Sequence, residues 1–179
     1  EIEEFLKREQ DGATLMNMLR RGELPLRVTH NDTKLNNIML DAETRKPLCV
    51  IDLDTVMPGL LAYDFGDSIR FGAATAPEDE RDLSKVSMSL ELFRTFAKGF
   101  ISACPELREQ EYLSLAWGAR IMTLECGLRF LTDYLEGDVY FAVHRPGHNL
   151  DRCRTQLRMV QDMEAKWEQM LEIIKALHP

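Results

Sequence analysis

The segment spanning residues 28–40 constrains this chain more than any other, because it sets a polar loop between two short apolar runs. Within it, His30, Asp32 and Asn37 follow the order H-x-D-x-x-x-x-N, and a later apolar run ends at Asp52. Together they supply a base, an amide ligand and a carboxylate ligand. Phosphoryl transfer from a magnesium nucleotide needs this set of groups.

Three carboxylates and one amide define the predicted chemistry. Asp32 is placed as a general base, because a loop carboxylate in phosphoryl transfer accepts the hydrogen of the attacking hydroxyl. Asn37 and Asp52 are the predicted Mg²⁺ ligands, since this ion prefers hard oxygen donors and shares its shell with nucleotide phosphates. Asp54 is either a further metal ligand or a residue that orders the loop.

Two other residues of the polar loop have predicted roles. His30 is expected to order the loop backbone through hydrogen bonds rather than to act as an acid or base. Lys34 lies two residues past Asp32 and is a candidate phosphate-binding residue, which would neutralise charge on the transferring phosphate. The alternative for Lys34 is an ordinary solvated lysine.

The overall composition disfavours several functions. The net charge of -8 and the pI near 5.1 argue against a nucleic-acid surface, which needs a basic patch. No apolar run approaches the roughly 20 residues that span a bilayer, so we expect no membrane partner. The cysteines are scattered, which predicts reduced, mostly buried thiols and a cytoplasmic protein; they are Cys49, Cys104, Cys126 and Cys153.

Apolar periodicity predicts a helix-rich chain with a small sheet. Residues 26–29 predict a strand, and residues 38–40 and 48–51 predict a β-hairpin. Helical spacing covers residues 2–19 with a break at Asp11–Gly12, a segment from Tyr63, and residues 86–101, 113–135 and 157–177, with loops at 73–79 and 137–149.

We therefore expect a mainly α-helical (α+β) fold in which residues 1–179 form a single domain and the hairpin carries the polar loop. Residues 113–135 are strongly apolar and are predicted to be the central helix. Residues 157–177 are predicted as one amphipathic helix that packs on the same core, with a coiled-coil seam as the alternative.

These segments resemble the catalytic loop and metal-binding segment of the aminoglycoside phosphotransferase family, which shares the protein-kinase-like fold. His30, Asp32 and Asn37 match the H-x-D-x-x-x-x-N of that family, and Asp52 matches its metal-binding aspartate. The residues around them are more similar still to the N-acetylhexosamine 1-kinases, as are three later stretches: 63–70, 131–140 and 148–150.

The resemblance implies an ATP- and Mg²⁺-dependent kinase that phosphorylates the anomeric hydroxyl of N-acetylglucosamine or N-acetylgalactosamine. By the same analogy Arg129, Tyr140 and Tyr134 are candidate substrate-binding residues in the helical lobe. The alternative for Arg129 is an ion pair with Asp133, one helical turn further on. The alternative for Tyr140 is a packed residue at the rim of the site.

The chain departs from the family before His30, where residues 1–29 contain no glycine-rich loop and no strand with a phosphate-pairing lysine. We therefore expect the C-terminal lobe only, with the N-terminal nucleotide lobe absent. Positioning provides most of the catalysis in phosphoryl transfer, so we expect the isolated chain to be inactive. An exposed lobe interface is also expected to favour self-association.

Two alternatives to the sugar kinase remain. The first is a kinase of the same superfamily that acts on choline, homoserine or an aminoglycoside. A choline site needs an aromatic cage, which the sparse aromatic residues disfavour, whereas a polycationic aminoglycoside suits the acidic net charge. The second alternative is a non-catalytic binding module with a kinase-like fold, which the intact set of Asp32, Asn37 and Asp52 disfavours.

Overall fold

Helices dominate residues 1–104 and 106–177, which the computed structural model describes. Eight α-helices lie in these residues: α1 (Ile2–Leu6), α2 (Glu9–Gly12), α3 (Thr14–Arg20), α4 (Leu61–Gly72), α5 (Leu90–Ala103), α6 (Glu109–Glu136), α7 (His148–Ala165) and α8 (Trp167–Leu177). Among them no helix is long and apolar enough to cross a membrane. The predicted mainly α-helical class is confirmed.

The strands form two small antiparallel pairs. β1 (Arg27–Thr29) pairs with β4 (Met57–Gly59), and β2 (Ile38–Leu40) pairs with β3 (Pro47–Val50). The second pair is the predicted β-hairpin, which is thus confirmed. The strand β4 was not predicted, because Met57–Gly59 is too short and proline-containing to show alternation.

Helix α6 is the central element, as predicted, and packs between α4 and α7. Its closest approach is to α4, where Gly66 faces Gly118. A methyl group added at either glycine would overlap backbone atoms of the opposite helix. These glycines therefore let two helix backbones approach closely, and this fixes the position of α4 beneath the polar loop.

The core lies along both sides of α6. Its largest cluster joins α4, α5, α6, α7 and α8, and its fully buried side chains include Phe65, Phe93, Leu115, Met163 and Ile174. The periodic apolar residues of 157–177 thus pack on the core, as predicted. They do not form a free coiled-coil seam in the part of the chain that the structure describes.

Charged residues attach the N-terminal helices to the rest of the chain. Arg8 donates to Glu164 of α7 at 2.8 and 2.7 Å, and Arg120 of α6 donates to the same carboxylate at 2.7 Å. Arg120 also donates to Asp11 at 2.5 Å. This half-buried network ties α1 and α2 to the two longest helices.

The bounds of two predicted helices differ from those in the structure. Of the face that begins at Val86, Val86, Phe93 and Ile101 are buried and Phe96 is exposed. The helix begins only at Leu90, after a 3₁₀ turn at Leu83–Lys85. The predicted single C-terminal helix is wrong, since it breaks at Lys166 between α7 and α8. The side chain of Lys166 donates to Asp162 and to the Met88 carbonyl, contacts that apolar spacing cannot reveal.

Two further predictions need correction. The predicted loop over residues 137–149 ends earlier, because His148 and Asn149 already belong to α7, after Gly147 in the left-handed conformation. The prediction of mostly buried cysteines is also wrong: only Cys153 is buried, and Cys49 is exposed. All four thiols are free.

Candidate active site

Helix α4 holds the polar loop in place through Asp64. Its buried carboxylate accepts hydrogen bonds from the backbone N–H groups of His30 and Asn31, both at 2.8 Å. Asn31 is in the left-handed region with φ of 63°, a conformation that costs energy outside glycine. The Thr33 hydroxyl donates to the Asp64 carbonyl at 2.6 Å, which fixes the next part of the loop.

The segment that follows Asp52 holds the loop from the other side. The Thr55 hydroxyl donates to the His30 carbonyl at 2.6 Å, and the Asn31 amide donates to the Thr55 carbonyl at 2.9 Å. Imidazole Nε2 of His30 lies 3.0 Å from the Ile51 carbonyl. A carbonyl can only accept, so Nε2 carries the hydrogen and Nδ1 is left to accept from the Asp32 N–H at 3.3 Å.

Both ring nitrogens of His30 are therefore occupied by backbone groups. This geometry is what a residue that orders the loop requires, and it leaves no nitrogen for proton transfer. The role of His30 stays a prediction, since only its position is established.

The Asp32 carboxylate lies at the centre of the loop, half-buried. Its Oδ2 accepts from Lys34 Nζ at 2.9 Å and from Asn37 Nδ2 at 2.8 Å. Burial alone would raise the pKa of Asp32, but the hydrogen bonds from Lys34 and Asn37 outweigh it and hold the pKa below its usual value. Asp32 is thus ionised at neutral pH, as a proton acceptor must be.

The predicted metal ligands lie on backbone segments that are joined by a hydrogen bond. The Asn37 carbonyl accepts from the Ile51 N–H at 2.9 Å, which sets Asn37 against the start of the Asp52 segment. Asn37 uses its amide nitrogen on Asp32, so its amide oxygen is the atom left for a cation. Asp52 is exposed, has a left-handed backbone, and caps no N–H of the 3₁₀ turn that follows.

These oxygen donors fit Mg²⁺, which commonly takes one or two protein ligands and completes its shell with phosphates and water. In residues 1–104 and 106–177 no three His, Cys, Asp or Glu side chains group into a metal site. Asp54 is exposed in the turn Leu53–Thr55, and its role as a third ligand stays a prediction.

A pocket of about 520 Å³ opens beside Asp32, within the usual size range for small-molecule sites. Lys34, Arg129 and Tyr140 line this pocket with Asp32, although they lie far apart along the chain. Tyr134 does not line it. The structure thus brings two of the three predicted substrate residues to the predicted base.

Arg129 does not form the alternative ion pair with Asp133. Its guanidinium lies over the rings of Tyr140 and Phe141, at 5.6 and 5.3 Å from their centroids. The Asp133 carboxylate instead accepts from the backbone N–H groups of residues 139, 140 and 141 and from the Asn149 amide. Asp133 therefore folds the loop that delivers Tyr140 to the pocket.

Sequence reasoning missed several residues of the site. Asp64 holds the loop, while Asp67, Arg70 and Glu78 form a linked set of ion pairs in the pocket wall. Their signal was present, since two acids and an arginine interrupt an otherwise apolar helix at 61–72. Charged residues on the buried side of a helix need partners, and this could have marked them.

Residues 1–86 match the model of the phosphotransferase enzyme family (APH). The matched segment contains the polar loop, the predicted metal ligands and helix α4; Arg129 and Tyr140 lie outside it. The match supports the predicted relation to the aminoglycoside phosphotransferases and a phosphotransferase activity of the kinase type. The helical lobe with a small sheet agrees with the expected kinase-like fold.

Proposed function

We propose that this chain is the substrate-binding lobe of an ATP- and Mg²⁺-dependent kinase that phosphorylates the anomeric hydroxyl of an N-acetylhexosamine. The observation that carries the proposal is the pocket that joins Asp32 to Arg129 and Tyr140. The family match supports the reaction type, and the sugar comes from the resemblance of the residues around the loop.

In the proposed reaction the acceptor hydroxyl oxygen attacks the γ-phosphorus of ATP. A new O–P bond forms, the bond from the γ-phosphorus to the bridging oxygen breaks, and ADP leaves. Asp32 takes the hydroxyl proton, and Lys34 can turn from Asp32 towards the transferring phosphate. Mg²⁺, held through Asn37 and Asp52, would neutralise phosphate charge.

The charge of the pocket favours a neutral acceptor. Arg129 covers the faces of Tyr140 and Phe141, so these rings do not form an open cage for a quaternary ammonium. The pocket wall holds equal numbers of cationic and acidic side chains, which gives no net attraction for a polycation: Lys34, Arg70, Arg129 and Arg152 against Asp32, Asp67, Glu78 and Glu125. A sugar suits this wall better than choline or an aminoglycoside.

The proposal includes a nucleotide-binding lobe as a partner. The strands beside the polar loop expose many apolar side chains, among them Val28 at 80% and Leu48 at 62%. An apolar surface of this kind is typical of a protein–protein or domain interface. With that lobe absent, little would hold the adenine or cover the phosphates, so we expect little or no kinase activity from the 179-residue chain.

The test is an assay of the protein from the complete reading frame, with ATP, Mg²⁺ and a panel of acceptors. We expect phosphorylation of an N-acetylhexosamine, and a loss of about 10³-fold or more in kcat for Asp32→Asn. Asp82→Asn serves as a matched control, because Asp82 is exposed and lies outside the pocket.

Each contrary result points to one alternative. Turnover of choline, homoserine or an aminoglycoside in place of the sugar would replace the acceptor and keep the kinase. Failure to consume ATP with any acceptor would favour a non-catalytic binding module. Turnover by the 179-residue chain alone, lost in Asp32→Asn, would show that no second lobe is needed.

A further inference from the structure

Asp67 of helix α4 combines deep burial with an incomplete set of hydrogen bonds. Its side chain is 9% exposed and lines the pocket that contains Asp32. Oδ1 accepts twice from Arg70, from Nε at 3.1 Å and from a terminal nitrogen at 2.9 Å. Oδ2 is buried and receives no hydrogen bond from the described residues.

The neighbouring donors cannot easily turn to Oδ2. The other terminal nitrogen of Arg70 donates to Glu78 at 2.5 Å, so the guanidinium is held between two carboxylates. The adjacent hydroxyl, Ser68 Oγ, donates to the Thr33 carbonyl at 3.1 Å and thereby supports the polar loop. A buried carboxylate oxygen without a donor is costly, so a native structure that keeps one calls for an explanation.

We propose that Asp67 is a specificity-determining residue whose Oδ2 accepts a hydrogen bond from a hydroxyl of the acceptor other than the one that attacks phosphorus. The proposal rests on the proposed sugar kinase and deepens it. Asp67 lines the same pocket as Asp32, so one small polyhydroxy ligand bound there lies near both side chains. The proposed role also explains why Asp67 has a second oxygen that its ion pair with Arg70 leaves without a donor.

The chemistry of Oδ2 sets the ligand class. A carboxylate oxygen only accepts, so the ligand must present a donor, and a neutral hydroxyl does so without adding charge to a balanced wall. Oδ2 itself is buried, which makes such a charged hydrogen bond strong and the loss of the donor expensive. A site built in this way rejects an analogue that lacks the hydroxyl.

Calorimetry on the 179-residue chain tests this directly, because it needs no catalysis. The probes are N-acetylglucosamine and its monodeoxy analogues, each lacking one hydroxyl other than the anomeric one. For the wild type we expect one analogue to bind about 10- to 100-fold more weakly than the parent sugar.

The variant Asp67→Asn keeps the side-chain volume and one oxygen for Arg70, but it can place an N–H donor where Oδ2 was. We expect the parent sugar to weaken to the level of that analogue, so that the two differ by less than about twofold. Asp82→Asn is the control and should keep the wild-type pattern, and a thermal melt of each variant shows that it is folded.

The contrary outcomes separate two failures. If the sugar binds but Asp67→Asn weakens the parent and every analogue equally, Asp67 acts only through Arg70; the inference fails and the proposed function stands. If the parent and all analogues bind equally to the wild type, the role of Asp67 is ruled out, but the proposed function stands. If no sugar binds, both the sugar acceptor and the role of Asp67 are wrong.

Discussion

At the scale of single residues, the site depends on how one carboxylate is surrounded. Asp32 receives hydrogen bonds from both Lys34 and Asn37 on the same oxygen, so its charge is stabilised before any substrate arrives. The second oxygen and the ammonium group of Lys34 are the parts that can respond to a hydroxyl and a phosphate. Lys34 is therefore the residue best suited to a test, because its side chain donates a hydrogen bond to the predicted base and to no other part of the loop.

Replacement of Lys34 by methionine should raise the pKa of Asp32, because it removes a hydrogen bond and a positive charge that lower it. The folded-state pKa is depressed, so the stability that Asp32 contributes is present above its unfolded value of 3.8 and is lost as the pH falls through the folded value. In Lys34→Met this contribution should be smaller, and its loss should be complete at a higher pH than in the wild type.

A carboxyl carbon NMR titration of the 179-residue chain measures this pKa. Lys98→Met is the matched control, because Lys98 is an exposed lysine of α5 that does not line the pocket. An unchanged pKa in Lys34→Met would mean that the contact between Lys34 and Asp32 is not maintained in solution.

At the scale of elements, the packing of α4 on α6 decides where the site residues lie. Helix α4 carries both Asp64 and Asp67, so its distance from α6 sets the depth of the polar loop and of the pocket wall. Gly66 and Gly118 allow the two backbones to meet without side chains between them. A glycine inside a helix costs stability, and here close packing is what offsets that cost.

Gly66→Ala should lower the free energy of unfolding by about 2–3 kcal/mol, because the new methyl group overlaps the Gly118 backbone and forces the helices apart. Gly99→Ala is the matched control. Gly99 also lies inside a helix but has open space around it, so alanine there should raise the free energy of unfolding by about 0.5–1 kcal/mol. Urea denaturation measures both, and equal effects at the two glycines would contradict the role of close approach.

Local pattern was enough to predict some elements and not others. The hairpin β2–β3 and the helix α6 have strong apolar runs of their own, so the sequence predicts them. β4 exists only because β1 lies beside it, and the break at Lys166 depends on contacts with Asp162 and Met88. Elements that rely on partners distant in sequence leave no periodic signal.

At the scale of the whole molecule, the described surface is divided into two unlike parts. The face made by the strands and the polar loop is rich in exposed apolar side chains, and the helical side buries most of its own. The face that surrounds the predicted catalytic carboxylate is thus also the one best suited to a second domain. We expect the isolated chain to associate through it.

Val28→Glu should weaken self-association of the 179-residue chain about tenfold, because it puts a charge in the apolar face. Val139→Glu is the matched control, since Val139 is nearly as exposed, 75% against 80%, but lies in the loop after α6. Light scattering over a range of concentrations measures the association. A wild-type chain that stays monomeric at high concentration, or equal effects of the two variants, would contradict the prediction.

The sequence by itself determined which side chains the polar loop brings together and the helical class of the fold. His30, Asp32, Asn37 and Asp52 are close neighbours along the chain or across one hairpin, so their spacing already constrains their geometry. Only the tertiary structure decided that Arg129 and Tyr140, but not Tyr134, share a pocket with Asp32, and that Asp64 and Asp67 belong to the site. These contacts join distant segments through the packing of α4 and α6, which no local pattern of residues specifies.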